Sequence, residues 1–209
     1  MDFHSWLIYL SVVAAIIVTP GPSAAICLTH GVSHGPCRAL ATVAGGMAAA
    51  SVLMLLSALG LGAIVAASST LFLVIKVIGA LYLVALGISI WRSTPSALEE
   101  YKGGAPSTSN EIARLFRQGF VVGIANPKDL LFFGALFPQF IDPTEPLAHQ
   151  LATLGATWLV VDGLTMSSYA AFGSKLAPKI RTLGAKRFLN RVTGGFFIAA
   201  GGLLAVARR

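Results

Sequence analysis

The sequence is built on a pattern that occurs twice: three apolar segments, the first of which is interrupted by proline. Thr19-Pro20 and Asn126-Pro127 lie about 107 residues apart, each in the middle of an apolar segment. Lys76-Val-Ile-Gly79 and Arg191-Val-Thr-Gly194 are likewise related by a shift of about 115 residues. Because three spans separate the copies, the second copy must enter a membrane from the opposite face. This layout is an inverted repeat, which is typical of secondary transporters whose broken helices meet near the bilayer midplane.

The composition places the whole chain in a membrane. Of the 209 residues, 56% are hydrophobic and 11% are charged, and the mean hydropathy is +0.79. A soluble domain needs more polar surface than this. A span takes roughly 20 apolar residues, and six stretches qualify: Trp6–Leu28, Ala39–Ala66, Leu71–Trp91, Phe116–Ile141, Leu147–Ala171 and Phe188–Val206. We predict an all-α integral membrane protein with six transmembrane helices. They form two inverted three-helix repeats, residues 1–92 and 116–209, joined by a cytoplasmic linker at 93–115.

The basic residues are unevenly divided between the two ends of these spans. One side holds only Arg208 and Arg209, whereas the other holds ten: Arg38, Arg92, Lys102, Arg114, Arg117, Lys175, Lys179, Arg181, Lys186 and Arg187. The positive-inside rule puts the basic side in the cytoplasm and both termini outside. The net charge of +7 and the pI near 9.9 therefore indicate topology and contact with anionic membrane lipids, not nucleic-acid binding.

Prolines break the first and fourth predicted helices. Proline has no N–H, and its ring clashes with the carbonyl four residues back, so that carbonyl loses its helical partner. The prolines are Pro20, Pro22 and Pro127, and the freed carbonyls are those of Ile16, Val18 and Gly123. In lipid such carbonyls need a partner or a cavity. Polar residues suited to start a new helix as N-caps stand beside the breaks, namely Thr19, Ser23 and Asn126. A kink without a ligand is the alternative interpretation of the first break.

The sequence Asn126-Pro127-Lys128-Asp129 has the pattern of a helix start. It places Asn at the N-cap, Pro at N1 and an acid at N3, as in a capping box. The free N–H groups and dipole of such a helix favour an anion, and Lys128 adds a full positive charge. We therefore predict a carboxylate site. The alternatives are plain capping by Asn126 and Asp129, and a structural ion pair between Lys128 and Asp129.

Three further charges lie inside predicted spans. Asp162 is near the middle of the fifth span, too deep for its short side chain to reach water. A lone carboxylate at this depth suits proton coupling, and a salt bridge to Arg191 or Lys128 is the alternative. Lys76 and Arg191 occupy equivalent positions in the two repeats, close enough to span ends to extend to an interface.

Cys27, His30, His34 and Cys37 are the one metal-like group, spaced C-x2-H-x3-H-x2-C. The residue types suit zinc, but a helix would separate the two cysteines. Neutral histidines and buried thiols are the favoured interpretation, and the roles of these four residues stay open. The GxxxG spacing of the glycines favours close helix packing and leaves a homodimer open.

The motifs resemble those of the LysE/RhtB family of amino-acid exporters over essentially the whole chain. The resemblance rests on four groups of residues: Thr19-Pro20-Gly21-Pro22; Lys76, Gly79, Ala80, Tyr82, Leu83 and Gly87; Asn126-Pro127-Lys128, Leu131-Phe132-Phe133 and Pro138-Gln139-Phe140; and Asn190-Arg191 with Gly194. It implies a six-helix carrier of the bacterial cytoplasmic (inner) membrane that exports amino acids or close derivatives, driven by the proton gradient, with no enzymatic activity and no cofactor.

The expected sites combine the residue patterns with this resemblance. The substrate-binding residues are Thr19, Pro20, Gly21, Pro22, Ser23, Asn126, Pro127, Lys128 and Asp129, and the coupling residues are Asp162, Arg191 and Lys76. A dibasic substrate would need a further deep acid, so small neutral amino acids are favoured.

Three other classes of membrane protein are less consistent with the sequence. A metal-ion exporter would need more acids or histidines at the midplane than Asp129 and Asp162. A membrane thiol-disulfide electron carrier would need a redox cysteine in each half, and the second half has none. An intramembrane enzyme would need a nucleophile with its base, or a metal motif, inside a span.

Overall fold

The computed structural model describes residues 3–59, 69–92, 109–142, 144–180 and 183–206. Within these ranges the chain is helical and has no strand, which confirms the all-α class. The α-helices are α1 (Phe3–Val18), α2 (Pro22–Ala58), α3 (Ser69–Arg92), α4 (Ser109–Ile124), α5 (Pro127–Leu131), α6 (Leu147–Leu176) and α7 (Leu183–Val206). A π-helical turn (Phe132–Leu136) and a 3-10 turn (Phe137–Phe140) extend α5, and a second 3-10 turn (Ala177–Ile180) follows α6.

The helix breaks fall where the prolines predict them. Helix α1 ends two residues before Pro20, and α2 begins with Pro22 as its first residue. In the second half, α4 ends at Ile124 and α5 begins at Pro127. Proline at the first helical position is favourable because the missing N–H has no helical partner there in any helix.

Gly35 reverses the direction of the chain inside α2. Its φ of 77° lies in the left-handed region that glycine adopts without strain, and Pro36 follows it. The expected loop between the first two spans, residues 29–38, is therefore a sharp kink between two helical segments. The predicted second span extends to Ala66, but its last residues lie outside the described part of the chain.

Contacts at separated points give the relative directions of the helices. The Tyr9 hydroxyl bonds the Leu154 carbonyl and the Tyr169 hydroxyl bonds the Val18 carbonyl, so α1 and α6 run the same way. After the Gly35 kink, α2 runs against α6, because Met47 contacts Gly163 whereas Met54 contacts Gly155. Helices α3 and α7 are also antiparallel: Ala80 lies by Gly201, and Gly87 lies by Gly194.

Glycines allow backbone-to-backbone packing at these crossings. A Cβ on Gly45 would overlap the carbonyl oxygen of Phe116 in α4, and one on Gly119 would overlap that of Thr42. At the α3–α7 crossing, a Cβ on Gly87 would lie 2.7 Å from the Gly194 oxygen. Such close approach is how helices associate where lipid removes the hydrophobic driving force. The packing interpretation of the glycines is confirmed within the chain.

We expect Gly45→Ala to destabilise the protein and the neighbouring Gly46→Ala to leave it intact. The first methyl has no room, and overpacking of this kind costs about 1–3 kcal/mol. The second meets no atom within 4 Å, and alanine is the better helix former by about 0.5–1 kcal/mol. Thermal melting of both variants in detergent tests this, and equal melting temperatures would contradict the close α2–α4 crossing.

Length and apolar composition single out one described helix, Pro22–Ala58, as able to cross a membrane by those criteria, and Phe3–Val18 and Ala80–Arg92 are shorter apolar helices. Helix α4 begins at Ser109, so the end of the predicted linker at 93–115 is helical. Its buried residues Leu115, Gly119 and Val122 follow helical spacing, and Glu111 in the first turn favours a helix start. Residues 93–108 of the linker lie outside the described ranges.

Candidate transport site

The two helix breaks are joined by side chains from the second half of the chain. The Asn126 amide donates to the Ser23 hydroxyl at 3.1 Å. The Lys128 ammonium donates to the carbonyls of Ile16 and Thr19 at 2.9 and 3.0 Å. Gly21 sits beside this ammonium, since a Cβ at that position would lie 3.5 Å from Lys128 Nζ. The two breaks are therefore in direct contact.

All three carbonyls that the prolines free have partners. Lys128 bonds the Ile16 oxygen, the Tyr169 hydroxyl bonds the Val18 oxygen at 3.0 Å, and the Asn126 N–H bonds the Gly123 oxygen at 3.1 Å. These bonds satisfy the requirement that backbone polar groups in lipid find partners inside the protein.

Lys128 is placed differently from the sequence interpretation. Its ammonium lies at the carboxyl end of α1, where the helix dipole favours a cation, instead of beside the start of α5. It forms no direct salt bridge with Asp129, although both residues are described; the ion pairs of the described residues join Glu111 to His34 and Arg38. Two of its three N–H groups bond carbonyls, which leaves one donor for a ligand.

Asn126 caps α5 as predicted, but Asp129 does not complete a capping box. The Asn126 side-chain oxygen accepts from the Lys128 N–H at 3.2 Å, and its amide nitrogen donates to Asp129 Oδ2 at 2.8 Å. In a capping box the acid would instead reach the backbone N–H of Asn126, which here bonds Gly123. Asn126 is fully buried, so it orients the Asp129 carboxylate from within the protein.

The capping role predicted for Thr19 and Ser23 is wrong. The N-cap of α2 is Gly21, in an extended conformation and without a side-chain cap. The Thr19 hydroxyl bonds back to the Ala15 carbonyl of α1, and Ser23 lies inside α2 as the acceptor for Asn126. Proline at positions 20 and 22 holds this segment extended without a cap.

A small cavity lies beside the joined breaks. Its volume is about 10 Å³, room for roughly one water molecule. The lining residues come from α2, α4, α5 and α6: Ser23, Ile26, Cys27, Thr42, Val43, Gly46, Gly119, Asp129, Asp162 and Met166. Asp162 is 8% exposed and has no hydrogen-bond partner in the described part of the chain. Two carboxyl groups therefore face one small cavity, with the Lys128 charge close to both.

Aromatic rings pack together around the turns that follow α5. They form the aromatic cluster, made of Tyr9, Phe132, Phe133, Phe137, Phe140 and Trp158. The ring centroid of Trp158 lies 4.7 Å from that of Phe132 and 4.6 Å from that of Phe133. The π-helical turn carries two of these rings, and π turns are frequent at functional sites. The Ser57 hydroxyl donates to the Phe133 carbonyl. In a π-helical turn this carbonyl would accept from the N–H of residue 138, but Pro138 has no N–H.

Close backbone contacts also join α2 and α6. Helices α2 and α6 touch where Gly31 meets the Ala170 carbonyl and Gly173 meets the Leu28 carbonyl. Beside them, His30 Nδ1 and the Thr42 hydroxyl are hydrogen-bonded at 2.7 Å, both buried. A cavity of about 10 Å³ is too small to hold an amino acid in this conformation.

The remaining candidates from the sequence are Arg191, Lys76 and the cysteines. Arg191 is exposed on α7 and does not line it, so the geometry favours Lys128 over Arg191 as the charge near Asp162. The side chain of Lys76 lies outside the described part. Cys27 is a buried free thiol on the cavity wall, and Cys37 is exposed. Among the described residues no group of three His, Cys, Asp or Glu side chains could hold a metal.

Sequence reasoning missed Thr42, Tyr169 and the aromatic cluster. Thr42 and Tyr169 lie in apolar segments without a motif, and only the fold shows what their hydroxyls bond. The aromatic residues were visible as the Phe132-Phe133 and Pro138-Gln139-Phe140 groups, but their convergence on Trp158 depends on helix packing.

Helices throughout the described residues, with two breaks that meet beside a small polar cavity, are the architecture of a helical membrane transporter. Residues 14–208 match the model of the LysE type translocator family, and the chain belongs to this family. The resemblance of the motifs is thus confirmed. The protein is a bacterial membrane transport protein and not an enzyme.

Several bacterial proteins are similar to this chain along most of their length. The chain is 34% identical over 208 residues to a homoserine/homoserine lactone efflux protein of Salmonella typhimurium, covering 100% of this chain and 99% of that one. It is 28% identical over 181 residues to a leucine efflux protein of an Enterobacter species, covering 86% and 83%. An uncharacterized membrane protein of Vibrio cholerae is 36% identical over 210 residues, covering all of both chains. No solved structure matches the chain.

Proposed function

We propose that this protein exports small neutral amino acids or close derivatives across the bacterial cytoplasmic membrane in exchange for protons, by alternating access. The observation that carries the proposal is the cavity beside the two helix breaks, which Asp129 and Asp162 line and near which the Lys128 ammonium lies. The efflux relatives, which handle homoserine, homoserine lactone or leucine by their names, support an amino-acid substrate.

Groups for both charged ends of an amino acid surround the cavity. Lys128 has one ammonium hydrogen left for the substrate carboxylate, whereas the start of α5 is capped by Asn126. Asp129, held by Asn126, faces the cavity as the acceptor for the substrate ammonium. Ile26, Val43 and Met166 offer an apolar wall for a small side chain.

In this proposal Asp162 binds and releases the coupled proton. Two ionised carboxyl groups that face one small cavity repel each other, so a bound cation or a proton is favoured there. Substrate ammonium and a proton on Asp162 then compensate the same charge at different stages of the cycle. This alternation couples outward movement of substrate to inward movement of a proton.

Alternating access requires that the cavity open to one side of the membrane at a time, and we propose one closure for each side. We assign the aromatic cluster to the outer side and the contacts around Gly31 and Gly173 to the cytoplasmic side, because the basic residues place the termini outside. In each cycle one closure opens while the other holds.

The helix directions support six spans in two inverted repeats. The part of α2 after Gly35 and α6 would be the second helix of each repeat, and α3 and α7 the third; both pairs are antiparallel, as inversion requires. Counting the two broken helices once each gives three spans on either side of the linker, and the basic loops would contact anionic lipids.

We expect a tag at either terminus to be reported outside and a probe near Gly103 in the linker to be reported inside. The ten-to-two distribution of basic residues is the reason. Accessibility of single cysteines, placed at these sites in a cysteine-free variant, to an impermeant reagent measures it. A cytoplasmic carboxyl terminus would contradict the span count or the orientation.

The function itself is tested by loading the purified protein into vesicles. Labelled homoserine, threonine, leucine and lysine are offered to inverted vesicles with and without a pH gradient. Accumulation of a neutral amino acid that collapses when the gradient is removed is the expected result. Accumulation of lysine alone would overturn the substrate class, and accumulation that ignores the gradient would overturn the coupling.

A further inference from the structure

The indole N–H of Trp158 is a buried donor without an acceptor. Trp158 is 1% exposed, and its Nε1 has no hydrogen-bond partner among the described residues. Buried polar atoms are paired with few exceptions, and each exception calls for an explanation. A buried tryptophan in particular usually finds a partner for its N–H. An acceptor that does not belong to the chain would account for this donor.

The polar groups next to Trp158 already have partners inside the protein. The hydroxyl of Tyr9, in the same aromatic cluster, donates to the Leu154 carbonyl at 3.1 Å. Trp6 donates its own indole N–H to the hydroxyl of Thr157, the residue before Trp158, at 3.0 Å. Within the described part of the chain, Trp158 therefore holds the one side-chain donor of the aromatic cluster that is still unused.

Trp158 lies one helical turn from the cavity. Residues 158, 162 and 166 are spaced four apart on α6, so they share one face of the helix. Asp162 and Met166 both line the cavity. Trp158 is the next residue on this face toward the start of α6, about 6 Å from Asp162 along the helix axis. The indole is thus within reach of a molecule bound beside Asp162, once the cavity has opened.

The opposite wall has the same order of groups. Phe132 and Phe133 follow Asp129 by three and four residues, which is about one turn. Their ring centroids lie 4.7 and 4.6 Å from that of Trp158. Both carboxyl groups at the cavity therefore have aromatic rings about one turn away in the same direction. A cavity that widens between the rings reaches the indole N–H.

The position of Lys128 gives the direction in which a bound amino acid would extend. Its ammonium bonds carbonyls at the end of α1, where Tyr169 also bonds the Val18 carbonyl. Tyr169 follows Asp162 along α6, whereas Trp158 precedes it. The proposed partner of the substrate carboxylate and the indole thus lie on opposite sides of the acid. An amino acid held by its two charged ends has its side chain left for Trp158.

We propose that the indole N–H of Trp158 donates a hydrogen bond to an oxygen on the substrate's side chain, and so selects small neutral amino acids that carry a hydroxyl or carbonyl there. The proposal deepens the proposed function and rests on it. It makes Trp158 a specificity-determining residue and narrows the substrate class.

The selection follows from the cost of an unpaired donor. A substrate hydroxyl beside the indole accepts its hydrogen, whereas a methyl group at the same place leaves the N–H unpaired and shielded from water. A site built to bond a hydroxyl rejects the analogue that lacks it far more strongly than an apolar pocket rejects an added hydroxyl. One indole donor in an otherwise apolar cluster is sufficient for this discrimination.

The test compares homoserine with norvaline, which has a methyl group in place of the homoserine hydroxyl. Transport of both labelled amino acids into inverted vesicles under the same pH gradient gives the preference for homoserine. Trp158→Phe keeps an aromatic ring and removes the N–H, and we expect it to reduce this preference about tenfold. Trp6→Phe is the matched control, because it removes an indole N–H that bonds Thr157, and it should keep the wild-type preference.

Replacement of Trp158 by 3-benzothienylalanine guards against a packing defect, because this amino acid keeps both fused rings and has sulfur in place of the N–H. It should lower the preference as Trp158→Phe does, at the wild-type melting temperature. A preference that falls in Trp158→Phe alone, together with the melting temperature, would make Trp158 a packing residue and overturn its role. A wild-type protein that transports both amino acids without preference would also overturn that role, whereas one that transports neither would overturn the proposed function itself.

Discussion

Lys128→Ala is expected to abolish export. The substitution removes the one ammonium at the junction of the two breaks and, with it, the proposed partner of the substrate carboxylate. It also strips the partly buried Ile16 carbonyl and the exposed Thr19 carbonyl of their partner, and a polar group left unpaired away from water costs about 1–3 kcal/mol. Loss of transport should therefore come with a lower melting temperature, and substrate binding in detergent should fall.

Lys128→Arg separates the two roles of this residue. A guanidinium can donate to both carbonyls, so most of the melting temperature should return. Export should recover little, because a planar fork does not reproduce a compact ammonium. Lys175→Ala, at an exposed lysine in the last turn of α6, is the control and should leave export unchanged. Unchanged substrate affinity in Lys128→Ala would make the residue purely structural.

Asp162→Asn is expected to stop uphill export while exchange of labelled for unlabelled substrate continues at saturating substrate. Asparagine imitates a carboxyl group that never releases its proton, so the gradient has nothing to act on. Exchange needs only that the loaded carrier turns over, and Asp129 stays in place for the substrate ammonium. Export against a gradient, exchange and melting temperature are measured on one preparation.

A salt-bridge role for Asp162 makes the opposite prediction. Removing one partner of a buried ion pair costs about 3–5 kcal/mol, so yield, melting temperature and both transport modes would fall together. The structure favours the first outcome, since Asp162 has no hydrogen bond or direct ion pair in the described segments. Asp142→Asn, in the exposed loop before α6, is the control for a lost carboxylate. Full uphill export by Asp162→Asn would eliminate Asp162 as the proton carrier.

The sequence predicted those features that follow from the backbone chemistry of proline. The missing N–H of Pro20, Pro22 and Pro127 located both breaks and the three carbonyls that need partners, and local capping rules placed Asn126 correctly. Hydropathy gave the helical class, because continuous apolar stretches of about 20 residues are the length that a helix needs to span a membrane.

The partners of the breaks could not be predicted, because they come from distant segments. Lys128 follows the pattern of an anion site at a helix start, yet its four-carbon stem reaches the end of α1, 112 residues away in sequence. Tyr169 reaches Val18 across 151 residues. Long side chains can satisfy groups well beyond their own helix, and only the packing decides which ones they reach.

These distant partners also bear on how the protein is made. When the first helices leave the ribosome, the carbonyls of Ile16 and Val18 have no partners, because Lys128 and Tyr169 have not yet been synthesised. The amino-terminal half is therefore an unfinished folding unit that must wait in the membrane, or at the insertion machinery, for the rest of the chain. Assembly of the first break is postponed until most of the polypeptide has been translated, and the two halves enter their native state together.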